Sequence, residues 1–285
     1  MLRKLPRRLR VELYHLRRLG PSGYARHNWW VYTKERSLPR PSTAEPFDIG
    51  GSAPIVLHES TLDTVTSHWL DREGIEELDA FRRVALGCST FLDIGAAQGI
   101  FSAAFCAITG GHAYALEPSQ SMWPALVALI ELNPEFEITP FQLAVGATAG
   151  SQAVEAHGAQ FRRVTSAEAA TDTMEVETLD DFAALHGVRP EFVKIDVEGM
   201  ELDVLRGGAA TFREVVEVIM LEIHPRILMQ GEGFAGIQEL LTSLGFRLLT
   251  LQFAPIADLA GSLVDGRGIP LRVMNVVCQK VPAST

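Results

Sequence analysis

The chain reads as an α/β domain built on an open, doubly wound and mostly parallel sheet. Three observations predict it. Short apolar runs, sized for buried strands, alternate with helix-like stretches from about residue 71 onward. The run Phe91-Leu92-Asp93-Ile94 ends in Gly95-Ala96-Ala97-Gln98-Gly99, a glycine turn between a strand and a helix. Acids recur where strands stop: Asp93, Glu117, Asp196, and Glu222 with His224 two residues on. Ligands of such sheets bind beyond the carboxyl ends of the strands, so these side chains should converge on one rim.

The elements follow in order. Residues 1–40 hold eleven Lys and Arg against Glu12 and Glu35, a balance of +9 in a chain of net charge −10, so the remainder carries −19. Leu2, Leu5, Leu9, Leu13 and Leu16 recur at three- and four-residue steps, the pattern of a basic amphipathic helix. Its arginines leave no apolar core for a secretory signal. The segment suits either contact with an anionic membrane face through residues 2–19 or packing on the acidic body. Residues 37–54 are rich in proline, glycine and small polar residues and read as a linker. The division is therefore 1–54, basic helix and linker, and 55–285, the α/β domain.

Within that domain the pattern predicts a helix over 71–85, strand 90–94, helix 99–109, strand 112–117, helix 119–132 and strand 136–145. Residues 146–177 alternate small and polar side chains, as loops or a hairpin insertion would. Then come a helix over 179–186, strand 191–196, helix 201–213, strand 216–223, helix 234–244 and two terminal strands, 246–253 and 271–279. The uncharged stretch from Gly95 to Leu116 carries four glycines, so it reads as helix plus strand and not as a membrane span. Cys88, Cys106 and Cys278 are odd in number and widely spaced, which suits a reducing, cytoplasmic compartment and no metal.

The spacing of the glycine turn suits S-adenosylmethionine better than a dinucleotide. A dinucleotide fingerprint has glycine two positions before Gly95, where amides face a pyrophosphate. Here that position is Asp93, whose anion would repel a pyrophosphate and suits an ammonium. None of the four tyrosines begins the Tyr-x-x-x-Lys that a short-chain reductase needs. Glu117, 18 positions after Gly99, stands where a carboxylate holds a ribose diol.

Three blocks in order resemble the FkbM-type methyltransferases over about residues 70–280. They are Leu92-Asp93-Ile94-Gly95-Ala96 with Gly99; Val193-Lys194-Ile195-Asp196-Val197-Glu198-Gly199 with Glu201, Leu205 and Gly207; and Leu221-Glu222-Ile223-His224-Pro225. Leu179-Asp180-Asp181-Phe182 lies upstream of the second block. The glycine loop departs from the family at Ala97-Gln98, where the family often has asparagine. The resemblance implies a class I methyltransferase fold, Rossmann-like with an antiparallel terminal strand. It also implies S-adenosylmethionine as methyl donor and hydroxyls of sugars, glycolipids or natural products as acceptors.

On the matched positions Gly95, Ala96 and Gly99 would let the loop pass under the cofactor, with Asp93 at its ammonium end. Glu117 would take the ribose hydroxyls, and Gln142 and Ala144 the adenine edge. Glu77, or its neighbour Glu76, would be the family's upstream acid. His224 has the ordinary pKa of a general base; its other reading is a structural histidine before Pro225. Asp196 would orient His224 or the acceptor and also touch the cofactor, and Glu222 completes the candidate catalytic set with His224 and Asp196. Asp196, Glu222 and His224 together could alternatively hold magnesium. An NAD(P)-dependent oxidoreductase and a non-catalytic cofactor-binding scaffold are the other classes open. Nucleic acid is not an expected partner, because the body is acidic and the basic residues lie outside the predicted site.

Overall fold

The computed structural model describes residues 46–49, 51–59, 61–62, 65, 72–157, 160–163, 172–225, 233–265, 271 and 273–281. The basic helix expected over residues 2–19 lies outside them. The strands of the main sheet are short apolar runs, buried on both faces as a parallel sheet under helices requires. The first half is α1 (Arg72–Ala85), β1 (Thr90–Ile94), α2 (Ile100–Thr109), β2 (His112–Leu116), α3 (Trp123–Leu132) and β3 (Ile138–Phe141). The chain then forms β4 (Ala144–Val145), β5 (Gly150–His157), β6 (Gln160–Arg163) and β7 (Asp172–Glu177). The second half is α4 (Leu179–His186), β8 (Phe192–Ile195), α5 (Glu201–Gly207), α6 (Ala209–Glu214), β9 (Val218–Ile223), α7 (Gly233–Ser243), β10 (Phe246–Leu249), α8 (Leu259–Ser262) and β11 (Met274–Lys280).

Seven strands form the main sheet in the order β10-β11-β9-β8-β1-β2-β3. Pairing is parallel from β9 through β3, while β11 runs antiparallel to both β9 and β10. The sheet reverses direction of growth between β1 and β8, so a crevice opens at their carboxyl ends. Register there sets Asp93 beside Lys194 and Ile94 beside Ile195. One face of the sheet is closed by α1 and α2 through packed rings of Phe81, Phe91, Phe105 and Phe192; Phe91 and Phe192 have centroids 4.7 Å apart. The other face buries Leu92, Val193, Ile219 and Leu221 under α4, α5 and α7.

The structure departs from the sequence reading in four places. The strand expected over 136–145 is two: β3 pairs in the main sheet and β4 crosses to a second sheet, of order β4-β7-β5-β6. An apolar run shows that a segment is buried but not which sheet receives it, and here β7 supplies the partner. That second sheet holds the hairpin expected over 146–177 as β5 and β6, and adds β7, which was not expected. The helix expected over 201–213 is divided after Gly207, where a Cβ would collide with the carbonyl oxygen of Gly146. Part of the expected linker packs on the domain: Phe47 and Ile49 are buried, and Phe47 exchanges backbone hydrogen bonds with Ile55 at 2.6 and 2.9 Å. Apolar side chains spaced among prolines were enough to bury it.

Candidate active site

At the crevice lies an open cleft, lined by Gly95, Glu117, Asp196 and Glu198 on one side. Leu143, Ala144, Val145, Met174 and Met200 give it an apolar wall. The second sheet thus contributes to the cleft through β4 and through Met174 on β7.

Glu117 follows β2 and is almost fully buried. Its Oε2 accepts from the Ala97 amide at 2.7 Å and its Oε1 from the Ser119 amide at 2.7 Å. A carboxylate has about four acceptor positions, so both oxygens keep capacity for a ligand's hydroxyls. Burial pushes its pKa up to about 7, against those two amide bonds, which lower it. Ala97 donates from a left-handed backbone at φ 48, so the loop is shaped to the acid.

The glycine loop is constrained by the protein itself. Gly95 has φ 82, and a Cβ there would run into the carbonyl oxygen of Asp196. The Gly95 and Ala96 amides donate to Leu116 O at 2.9 and 3.0 Å. A Cβ on Gly99, at φ 78, would strike Leu126 of α3. Both glycines therefore allow close packing between elements, whereas the sequence reading gave their freedom to a ligand.

Asp93 does not line the cleft. It is buried behind the loop, accepts from Ser102 Oγ at 2.7 Å and faces Lys194. Burial raises its pKa to about 6 although Lys194 and Ser102 act the other way. Lys194 is buried too, with Nζ 3.0 Å from Asp196 Oδ2 and 4.7 Å from the Phe101 ring centre. Burial alone would lower the Lys194 pKa, but Asp196, Glu77, Glu222 and Asp93 together raise it, so it stays a cation. Of the two upstream acids, Glu77 is the buried one and acts on Lys194 and Glu222, while Glu76 accepts from Gln252 Nε2 at 2.8 Å. Gln142 is exposed and is replaced in the cleft wall by Leu143 and Val145, beside the expected Ala144.

His224, after β9, is 7% exposed and surrounded by carboxylates. Its Nδ1 lies 2.7 Å from Glu201 Oε1; its Nε2 lies 3.3 Å from Glu198 Oε2 and 3.6 Å from Glu222 Oε1. Burial by itself would lower its pKa, but Glu201, Glu198 and Asp196 raise it to about 9. The sequence reading took the imidazole to be near its ordinary pKa; the carboxylates around the ring shift it toward the protonated form. Burial raises the Glu222 carboxyl as well, with Asp196 adding to the effect.

Ligand atoms of Asp196, Glu222 and His224 lie within 4.8 Å of one another. They do not fit magnesium. That ion takes oxygen ligands in a near-octahedral shell. Here one of the three donors is an imidazole nitrogen, and the Asp196 carboxylate is paired with an ammonium at 3.0 Å.

A seven-stranded sheet whose antiparallel β11 lies between β9 and β10, with a carboxylate-lined cleft at its switch point, defines the class I methyltransferase fold. The chain belongs to the methyltransferase FkbM family: the model of its domain matches residues 93–248. Among solved structures it is similar to a methyltransferase FkbM from Methylobacillus flagellatus KT, at 16% identity and TM-score 0.46, over 89% of this chain and 59% of that one. The chain thus spans about three fifths of that relative's length. It is also similar to a precorrin-6y C5,15-methyltransferase from Geobacter metallireducens (14% identity, TM-score 0.39, 70% of this chain and 87% of that one). A third is the fibrillarin pre-rRNA processing protein of Methanococcus jannaschii (13%, 0.41, 67% and 66%). No curated protein matches the chain.

Proposed function

We propose that this protein is an S-adenosylmethionine-dependent methyltransferase acting on a hydroxyl of a sugar, glycolipid or natural product. The observation that carries it is Glu117. A buried carboxylate pinned by two backbone amides at the end of β2, beside a glycine loop, matches what a ribose diol needs. The rest of the cleft fits the same ligand. Leu143, Ala144, Val145, Met174 and Met200 offer an apolar slot for a purine, and Asp196 and Glu198 give the opposite rim negative charge. A pyrophosphate is disfavoured there, with three carboxylates lining the cleft, so the oxidoreductase reading is the weaker one.

The bound cofactor supplies an electrophilic methyl group. The chain's part is to hold the acceptor oxygen in line with it, which alone accounts for a large share of such accelerations. Asp196 lines the cleft, paired with the Lys194 ammonium 3.0 Å away, and is the carboxylate placed to accept a hydrogen bond from the acceptor hydroxyl and orient its oxygen. His224 and Glu222 stand behind it and shape its field. Calorimetric titration with S-adenosylmethionine and with NAD tests the reading. Saturable binding of the former is expected, weakened roughly ten- to a hundred-fold by Glu117→Ala, which removes bonds to a charged group. Tight NAD binding with none of S-adenosylmethionine would overturn it. Mass spectrometry of host glycans and lipids, with and without the gene, would then identify the acceptor by the loss of one methyl increment.

A further inference from the structure

The side chain that holds His224 in place is Glu201, in the first turn of α5 and fully buried. Its Oε1 takes two bonds: His224 Nδ1 at 2.7 Å and the Gly199 amide at 2.9 Å. That fixes the plane and direction of the imidazole, and leaves Nε2 facing Glu198 Oε2 and Glu222 Oε1. Carboxyl groups stand at both ring nitrogens, and the imidazolium has a donor for each. Glu198 belongs to the cleft wall, and its backbone is left-handed at φ 52. A non-glycine residue in that conformation persists when its surroundings hold it. The Glu198 side chain meets the His224 ring, and the Gly199 amide that follows it bonds Glu201.

We propose that Glu201 is the positioning residue of the cleft, acting through His224 to hold the Glu198 carboxylate on the wall where a cationic ligand binds. The proposal rests on the cofactor reading above, because S-adenosylmethionine carries its positive charge into this cleft. It gives His224 a task that an imidazolium can perform and a general base cannot. It also explains why a carboxylate is buried beneath a histidine already flanked by two others. The groups facing His224 are Glu201 from α5, Glu198 and Asp196 from the loop after β8, and Glu222 from β9. Lys194 and Glu77 act at one remove, through Asp196 and Glu222.

Two measurements on the full chain test it. In the unliganded wild type, ¹⁵N spectra of the histidines, with His224 assigned from His224→Gln, should show both ring nitrogens protonated at pH 7.5. Glu201→Gln keeps a hydrogen-bond acceptor but removes the charge, and should lower the His224 titration midpoint by about two units, to near 7. The second readout is S-adenosylmethionine affinity by calorimetry at two pH values. At about pH 8 Glu201→Gln should bind roughly tenfold more weakly than wild type, and near pH 6, where His224 is protonated again, the difference should close. A merely structural loss would persist at both. Glu198→Gln should weaken binding to a similar extent at either pH, and decides the matter if Glu201→Gln does not fold. A neutral His224 in the wild type at pH 7.5, or unchanged affinity in Glu198→Gln, overturns the proposal. If the wild type binds no S-adenosylmethionine, the cofactor reading fails, while the histidine spectra still decide the link between Glu201 and His224.

Discussion

Gly95 and Glu117 each answer to two demands, and the structure separates them. Gly95→Ala would place a Cβ against the Asp196 carbonyl at a φ that disfavours any side chain. The unliganded protein should lose about 2 kcal/mol or more, read from denaturant unfolding. Unchanged stability with weakened cofactor binding would return the glycine to the ligand. For Glu117 the sign follows from burial. Its pKa is about 7 folded and about 4.5 unfolded, so the folded state binds more protons between those values. Its share of stability is therefore present below pH 4.5 and lost as pH rises toward 7. Hydroxyl donors prefer the ionised form, so cofactor affinity should move oppositely and rise from pH 6 to pH 8. Glu117→Gln should flatten that rise in calorimetric titrations; an equal rise in the variant would place its origin elsewhere.

At the scale of elements, the helices α1 and α2 are held to the sheet by the phenylalanine cluster, in which Phe192 meets Phe81 and Phe91 at 5.2 and 4.7 Å. Phe192→Ala should cost about 3–5 kcal/mol and lower the melting temperature, since the surrounding rings cannot close the cavity. Phe192 starts β8, which ends just before Asp196 and Glu198, so a surviving variant should also bind cofactor less well. A normal melting temperature would mean that the cluster can repack. Strand and helix positions were largely legible, because burial on both faces forces long apolar runs and the helices carry their own period. The destination of β4 and the second sheet were not. The pairing of Ala144 and Val145 with Val176 and Glu177 joins segments about thirty residues apart, and no local pattern encodes it.

Charge governs the whole molecule: a net −10, with +9 in the first forty residues. Among the described residues no helix is long and apolar enough to cross a membrane. If residues 2–19 contact an anionic membrane face, full-length protein should co-sediment with anionic vesicles, more at low salt than at moderate salt. A variant lacking residues 1–36 should stay in the supernatant. Equal sedimentation of the two forms would remove this reading and favour packing of the segment on the acidic body.

By itself the sequence determined the class of sheet, most of its strands, the family blocks and the acids at the strand ends. These are set by local composition and by spacing along one chain. Only the tertiary structure decided what each acid does. Asp93 turned inward to Ser102 and Lys194, Glu117 was pinned at the cleft, and Glu201, in sequence only one member of a family block, came to lie beneath His224. The same packing shifts the histidine toward its cationic form. A side chain's protonation depends on the charges and solvent around it, and those are brought together only when β1, β8, β9 and α5 meet.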